Sequence, residues 1–151
     1  MKAFFQDLFE YNQYANQRFI QSFFEDGFDD ERGIRLFSHM VNAHHVWNAR
    51  LLGKTAIFEI WEIHVMNSFL EVDKENHQRT FQLLEQTDDF DKLIRYTNSK
   101  GTAFENSISQ ILMHLVNHTT YHRGQLARMI REQGIDPPNS DYIFYKRAPL
   151  S

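Results

Sequence analysis

The chain has 151 residues, of which 42% are hydrophobic and 24% charged; its formal net charge is −4 and it contains no cysteine. That length and composition fit one ordinary globular domain with a core of its own. The missing cysteines exclude disulfides, thiolate metal ligands and a cysteine nucleophile. Lys and Arg are scattered, so the basic footprint of nucleic-acid binding is absent. No apolar run approaches the about 20 residues of a membrane span, and none has the form of a signal peptide, so a cytoplasmic protein without a membrane partner is expected.

Proline is absent before residue 137, which permits long uninterrupted helices. Phe5, Leu8, Phe9, Asn12, Ala15, Phe19 and Phe23 recur at helical spacing and predict a helix over about 2–24. Asp26-Gly27 marks a turn. A second helix is predicted over about 30–52, with Gly53 as its stop. Residues 54–70 read as a loop with short helical turns, and 71–87 as a third, more polar helix. Around Asn98-Ser99-Lys100-Gly101 the pattern predicts two short strands, a β-hairpin near 90–104. A fourth helix follows over about 105–133, closed by Gly134 and then Pro137-Pro138, and the aromatic tail 140–151 is expected to pack on the bundle. Fourteen phenylalanines imply an aromatic-rich core. These elements specify an all-α fold, an antiparallel four-helix bundle with a short hairpin, and such bundles build metal sites from facing helices.

Three of the eight histidines, His114, His118 and His122, follow one another at intervals of four on the last long helix. Each step of four turns the helix by only about 40°, so His118 and His122 can present two imidazoles to one cation. Helical phase on the second helix favours His39 as a third ligand and holds His44, near the rim, in reserve. His45, His64 and His77 read as solvated or locally paired imidazoles. Tyr121 and Gln125 share the stripe of the pair. His114, Tyr121 and Arg123 are the candidate catalytic groups: His114 as a proton carrier, Tyr121 as a hydroxyl donor, Arg123 as an anion ligand or a structural ion-pair partner. Gly124, costly inside a helix by up to ~1 kcal/mol relative to alanine, suggests close helix packing. Trp47 reads as a core or pocket-wall residue.

HxxxHRGQ at 118–125, SHMVNAHHVW at 38–47, YNQYAN at 11–16 and GIDPPNSDYIFYKR at 134–147 together resemble the DinB-like metalloenzymes, in order over nearly the whole chain. The resemblance implies an up-down-down-up bundle, often a homodimer, with a three-histidine metal site matching His39, His118 and His122. It implies nickel or zinc, with manganese and iron as further choices. It also implies thiol-dependent S-transfer or isomerisation with bacillithiol, mycothiol or glutathione, hence a small-molecule substrate and a low-molecular-weight thiol as partners.

Three neutral imidazoles leave a divalent ion with an open position, which suits catalysis better than a closed structural site. The leading expectation is a metal-dependent S-transferase. Metal-assisted hydrolysis and a non-enzymatic metal-binding stress or interaction protein are the alternatives.

Overall fold

The computed structural model describes residues 1–98 and 100–148. Four long helices carry it: α1 (Lys2–Phe24), α2 (Glu31–Leu51), α3 (Phe69–Gln86) and α4 (Ile108–Glu132). A 3₁₀ turn, Met66–Ser68, leads into α3, and a short helix α5 (Tyr142–Lys146) closes the described chain. Local chemistry fixes several of these ends. The Asp30 carboxylate accepts from the Arg32 and Gly33 amides at the start of α2. At α4, Ser107 and Gln110 form a reciprocal capping box.

That box explains one departure from the sequence reading. The strands β1 (Leu93–Thr97) and β2 (Ala103–Ser107) pair antiparallel, Leu93 opposite Ser107 and Thr97 opposite Ala103. The hairpin therefore runs on to Ser107, and α4 begins at Ile108 instead of 105. The Asn98 side chain accepts from the Lys100 and Thr102 amides in the turn. Ser99, assigned to this turn from the sequence, lies outside the described residues. Helix α3 starts two residues earlier than the pattern suggested, because Phe69 is its first buried anchor.

Side-chain pairings give the topology. Asn12 meets His77 and Asn16 meets Asp73, so α1 and α3 run antiparallel. Thr119 and Arg123 reach Asn12 and Asn16 in the same order, so α1 and α4 run parallel. His39 faces His118 while Trp47 faces His114, which makes α2 antiparallel to α4. Phe37 meets Phe69 and His44 meets Thr80, which makes α2 parallel to α3. The bundle is therefore up-down-down-up. Because α2 and α3 point the same way, residues 52–68 must travel back along the length of the bundle to join them.

The core has two apolar ends. Phe5, Phe9, Leu84, Phe90, Leu112 and Leu115 fill one, and Phe19, Phe23, Phe28, Phe37, Phe69 and Leu126 fill the other. In the second, the rings lie 4.7–5.8 Å apart in tilted and edge-on contacts, the favourable geometry for aromatic quadrupoles. Gly33 is essential to this end, since a Cβ there would stand 2.5 Å from the Phe28 ring. Gly124 is not explained that way: a Cβ there meets nothing within 4 Å, so the close packing expected of it is absent. Between the two ends lies a belt of buried polar groups, among them Asn12, Asn16, His44, Asp73, Thr119 and Arg123. The tail packs on α1, as expected: Tyr11 donates to the Ser140 carbonyl at 2.6 Å, and Tyr142 and Lys146 both bond the Asp7 carboxylate. Residues 149–151 lie outside the description. Among the described residues, no helix is long and apolar enough to cross a membrane.

Candidate metal centre

His39 of α2 and His118 and His122 of α4 form one group, with ligand atoms all within 4.8 Å of one another. His118 Nε2 stands 3.2 Å from His39 Nε2 and 3.1 Å from His122 Nε2. The edge of a tetrahedron around zinc with metal–nitrogen bonds of ~2.0–2.1 Å is about 3.3 Å, so these spacings suit one ion.

The hydrogen bonds on the far sides of the rings make a stronger test. His39 Nδ1 donates to the Ile60 carbonyl at 3.2 Å, and His122 Nδ1 donates to the Gln125 amide oxygen at 2.7 Å. Each of these rings, when neutral, therefore turns a bare Nε2 lone pair toward the centre. His118 has one ring proton and cannot serve both neighbours. Its Nδ1 is buried with no partner. Protonation does not relieve the conflict: burial, and then the neighbouring imidazoles, push the His118 pKa down to about 3, and burial also lowers that of His39. Two bare Nε2 lone pairs meet a third imidazole with one proton to share, and a cation resolves what that proton leaves unmet, so the residues fit a divalent metal ion. The orienting bonds from Ile60 and Gln125 are of the kind that hold metal-ligating imidazoles. Among the described residues no carboxylate or fourth imidazole joins the group.

The long connection supplies part of the site. It crosses the outer face of α2 and is held there by side chains of that helix. Asn42 donates to the Glu62 carbonyl, Ser38 accepts from the His64 amide, and His45 Nε2 accepts from the Ile57 amide. Trp61 then lies flat on His39, ring centroids 3.9 Å apart and planes 13° apart. Neither Ile60 nor Trp61 was singled out from the sequence, and no periodic signal could have found them. Their place depends on the path of an irregular segment.

Of the remaining histidines, His44 and His45 depart from the phase argument, while His64 and His77 are locally paired, as read. His44 is not at the rim: it is 2% exposed, faces α3, and sits 2.8 Å from Thr80 Oγ1. His45, though turned from the bundle axis, is 3% exposed because the connection covers it. His64 pairs with Asn42, and His77 with the Asp73 carbonyl. With α3, α4 and the connection all against it, α2 buries nearly every residue from 36 to 51, so no single inner face exists.

Of the candidate catalytic groups, His114 is exposed on the turn before the pair, its ring 5.4 Å from both His118 and Trp47. Tyr121 is 63% exposed, beside His122 but outside the inner stripe expected of it. The histidine stripe flanks the core stripe of α4, which runs through Leu112, Leu115, Thr119, Arg123 and Leu126. Arg123 is wholly buried and turned away from the histidines; its guanidinium donates to Asn12 and Asn16 at 2.7 and 2.9 Å and also reaches Tyr11 and Thr120. That is the structural role, met by amide and hydroxyl oxygens in place of the expected carboxylate.

Protein DinB of Bacillus subtilis (strain 168) is 32% identical over 68 residues, a segment covering 45% of this chain and 40% of that protein. The chain thus matches less than half the length of that relative. A model of the DinB family matches residues 1–149. The fold, the histidine group and this match across the chain lead to one statement of kinship: the chain belongs to the DinB family.

Proposed function

We propose that His39, His118 and His122 bind a divalent metal ion, nickel or zinc ahead of manganese or iron, and that the chain is a metal-dependent S-transferase. The observation that carries the reading is the meeting of three Nε2 atoms, two of them bare acceptors, with one His118 proton between them. A divalent ion held there supplies Lewis acidity, which makes a thiol or water at its open position more acidic. The chain has no thiol of its own, so the sulfur nucleophile comes from a low-molecular-weight thiol and the electrophile from a second small molecule. The residues around the group then have distinct tasks. Ile60 and Gln125 fix the ring tautomers, Trp61 shields His39 from water, and His114 is the exposed imidazole nearest the group able to carry a proton to or from a leaving group.

Metal analysis of tag-free protein purified without chelator tests the site. The wild type retains close to one ion per chain and His118→Ala retains none; equal metal in both overturns the assignment. Turnover of an electrophile only when a thiol is added supports S-transfer, whereas ester or amide cleavage without thiol favours the hydrolytic alternative.

A further inference from the structure

The groove between α2 and α4 does not stop at the histidines. On α2, Arg32, Arg35, Leu36 and His39 recur at spacings of three and four, and on α4 His122, Gln125, Arg128, Met129 and Glu132 do the same. The two stripes face each other and border an open cavity of about 420 Å³, with Leu36 and Met129 as apolar lining and Trp61 and Gln125 as the wall shared with the histidine group. In the opposite direction the groove is filled, since Trp47 packs edge-on against His114 and Arg50 covers Trp47. A ligand with its reacting end at the histidines therefore extends toward the arginines.

The charges in that cavity are unequal. Arg32 is bound to Asp30 at 2.7 Å and lies 3.8 Å from Glu132, while Arg128 donates to Glu132 at 2.9 Å. Arg35 has no carboxylate within ion-pair distance among the described residues; its guanidinium rests over the Trp61 ring at 5.5 Å. Three cations against two anions leave one positive charge, and it is held on an aromatic face beside the site in a chain whose net charge is −4. A stacked guanidinium with free donors is suited to a carboxylate or phosphate, which it binds through two parallel hydrogen bonds. The volume is that of a small-molecule site.

We infer that Arg35, with Arg128 opposite, binds an oxyanion, carboxylate or phosphate, on the substrate or cosubstrate of this site. This rests on the metal-centre reading for the position of the ligand's reacting end, but the oxyanion contact can be tested without metal. The indole N–H resonance of Trp61 in metal-free protein, assigned with Trp61→Phe, is followed during titration with succinate, with inorganic phosphate and with neutral succinamide. The expected result is a saturable shift with at least one anion and none with succinamide. Arg35→Gln should weaken that binding about tenfold, with an unchanged two-dimensional spectrum elsewhere and unchanged metal content on reloading. Saturation by succinate identifies a carboxylate, saturation by phosphate alone a phosphate. An equal response to succinamide, no saturable response to either anion, or wild-type affinity in Arg35→Gln overturns the inference. Loss of metal binding would leave these outcomes readable, so the two readings fail separately.

Discussion

Helix α4 takes part in two polar clusters, and they differ in how donors match acceptors and in access to the surface. Toward α1, Thr119 and Arg123 meet Asn12 and Asn16, with Asp73 and His77 of α3 beyond. There donors face acceptors: the Arg123 guanidinium gives its protons to amide and hydroxyl oxygens, and Asn16 donates to Asp73 at 2.7 Å. Arg123 Nε and Asp73 Oδ2 make no hydrogen bond among the described residues, and burial raises the Asp73 pKa, which favours its neutral form. Toward α2, two bare acceptors share one imidazole that has a single proton to give, and the group reaches the surface. Burial of histidines and polarity of a cluster are thus shared by both; the match of donors to acceptors separates a scaffold from a group that could hold a metal ion.

The comparison can be broken by substitution along α4. Arg123→Ala should have the largest effect, because it strands the buried oxygen of Asn16, takes one of two donors from that of Asn12, and opens a cavity. A loss of about 3–4 kcal/mol in urea unfolding is expected, while the folded fraction keeps its metal. A neutral outcome would mean that the belt is not a scaffold. Gln125→Ala should do the reverse: weaken metal affinity about tenfold, the usual cost of removing an orienting partner of a ligand imidazole, with unfolding of the metal-free protein nearly unchanged. If affinity stayed the same, the Gln125 bond would not fix the His122 tautomer. The smallest effect belongs to Gly124→Ala, between the two. Its Cβ points into open space in a helix interior, so a gain of up to ~1 kcal/mol in stability is expected, with metal retention unaltered in the same assay. A loss of stability would reveal a contact outside this chain.

Much of this was legible in the sequence because local rules govern it. The i, i+4 spacing of His118 and His122 determines that they share a face once a helix forms. The phase of His39 on α2 gave a third member, and the structure brings these three together. Glycine and proline placement marked the turns, and the hairpin was readable in all but its last residues. The roles of His44 and Arg123 were less legible. Phase gives an angle about a helix axis but does not say what surrounds the helix, and α2 is enclosed on nearly every side.

The sequence by itself thus determined the helices to within a few residues of their ends and the pairing of two imidazoles on one of them, all matters of residues within a few positions of each other. Only the tertiary structure decided that Trp61 lies on His39, that Ile60 sets its tautomer, that His44 belongs to the interior, and that Arg35 and Arg128 face one another across a cavity. The reason is the same for each. Two parallel neighbouring helices require a long irregular return, and where that return and the opposing helix fall is set by packing over the whole bundle, which no short-range periodicity encodes.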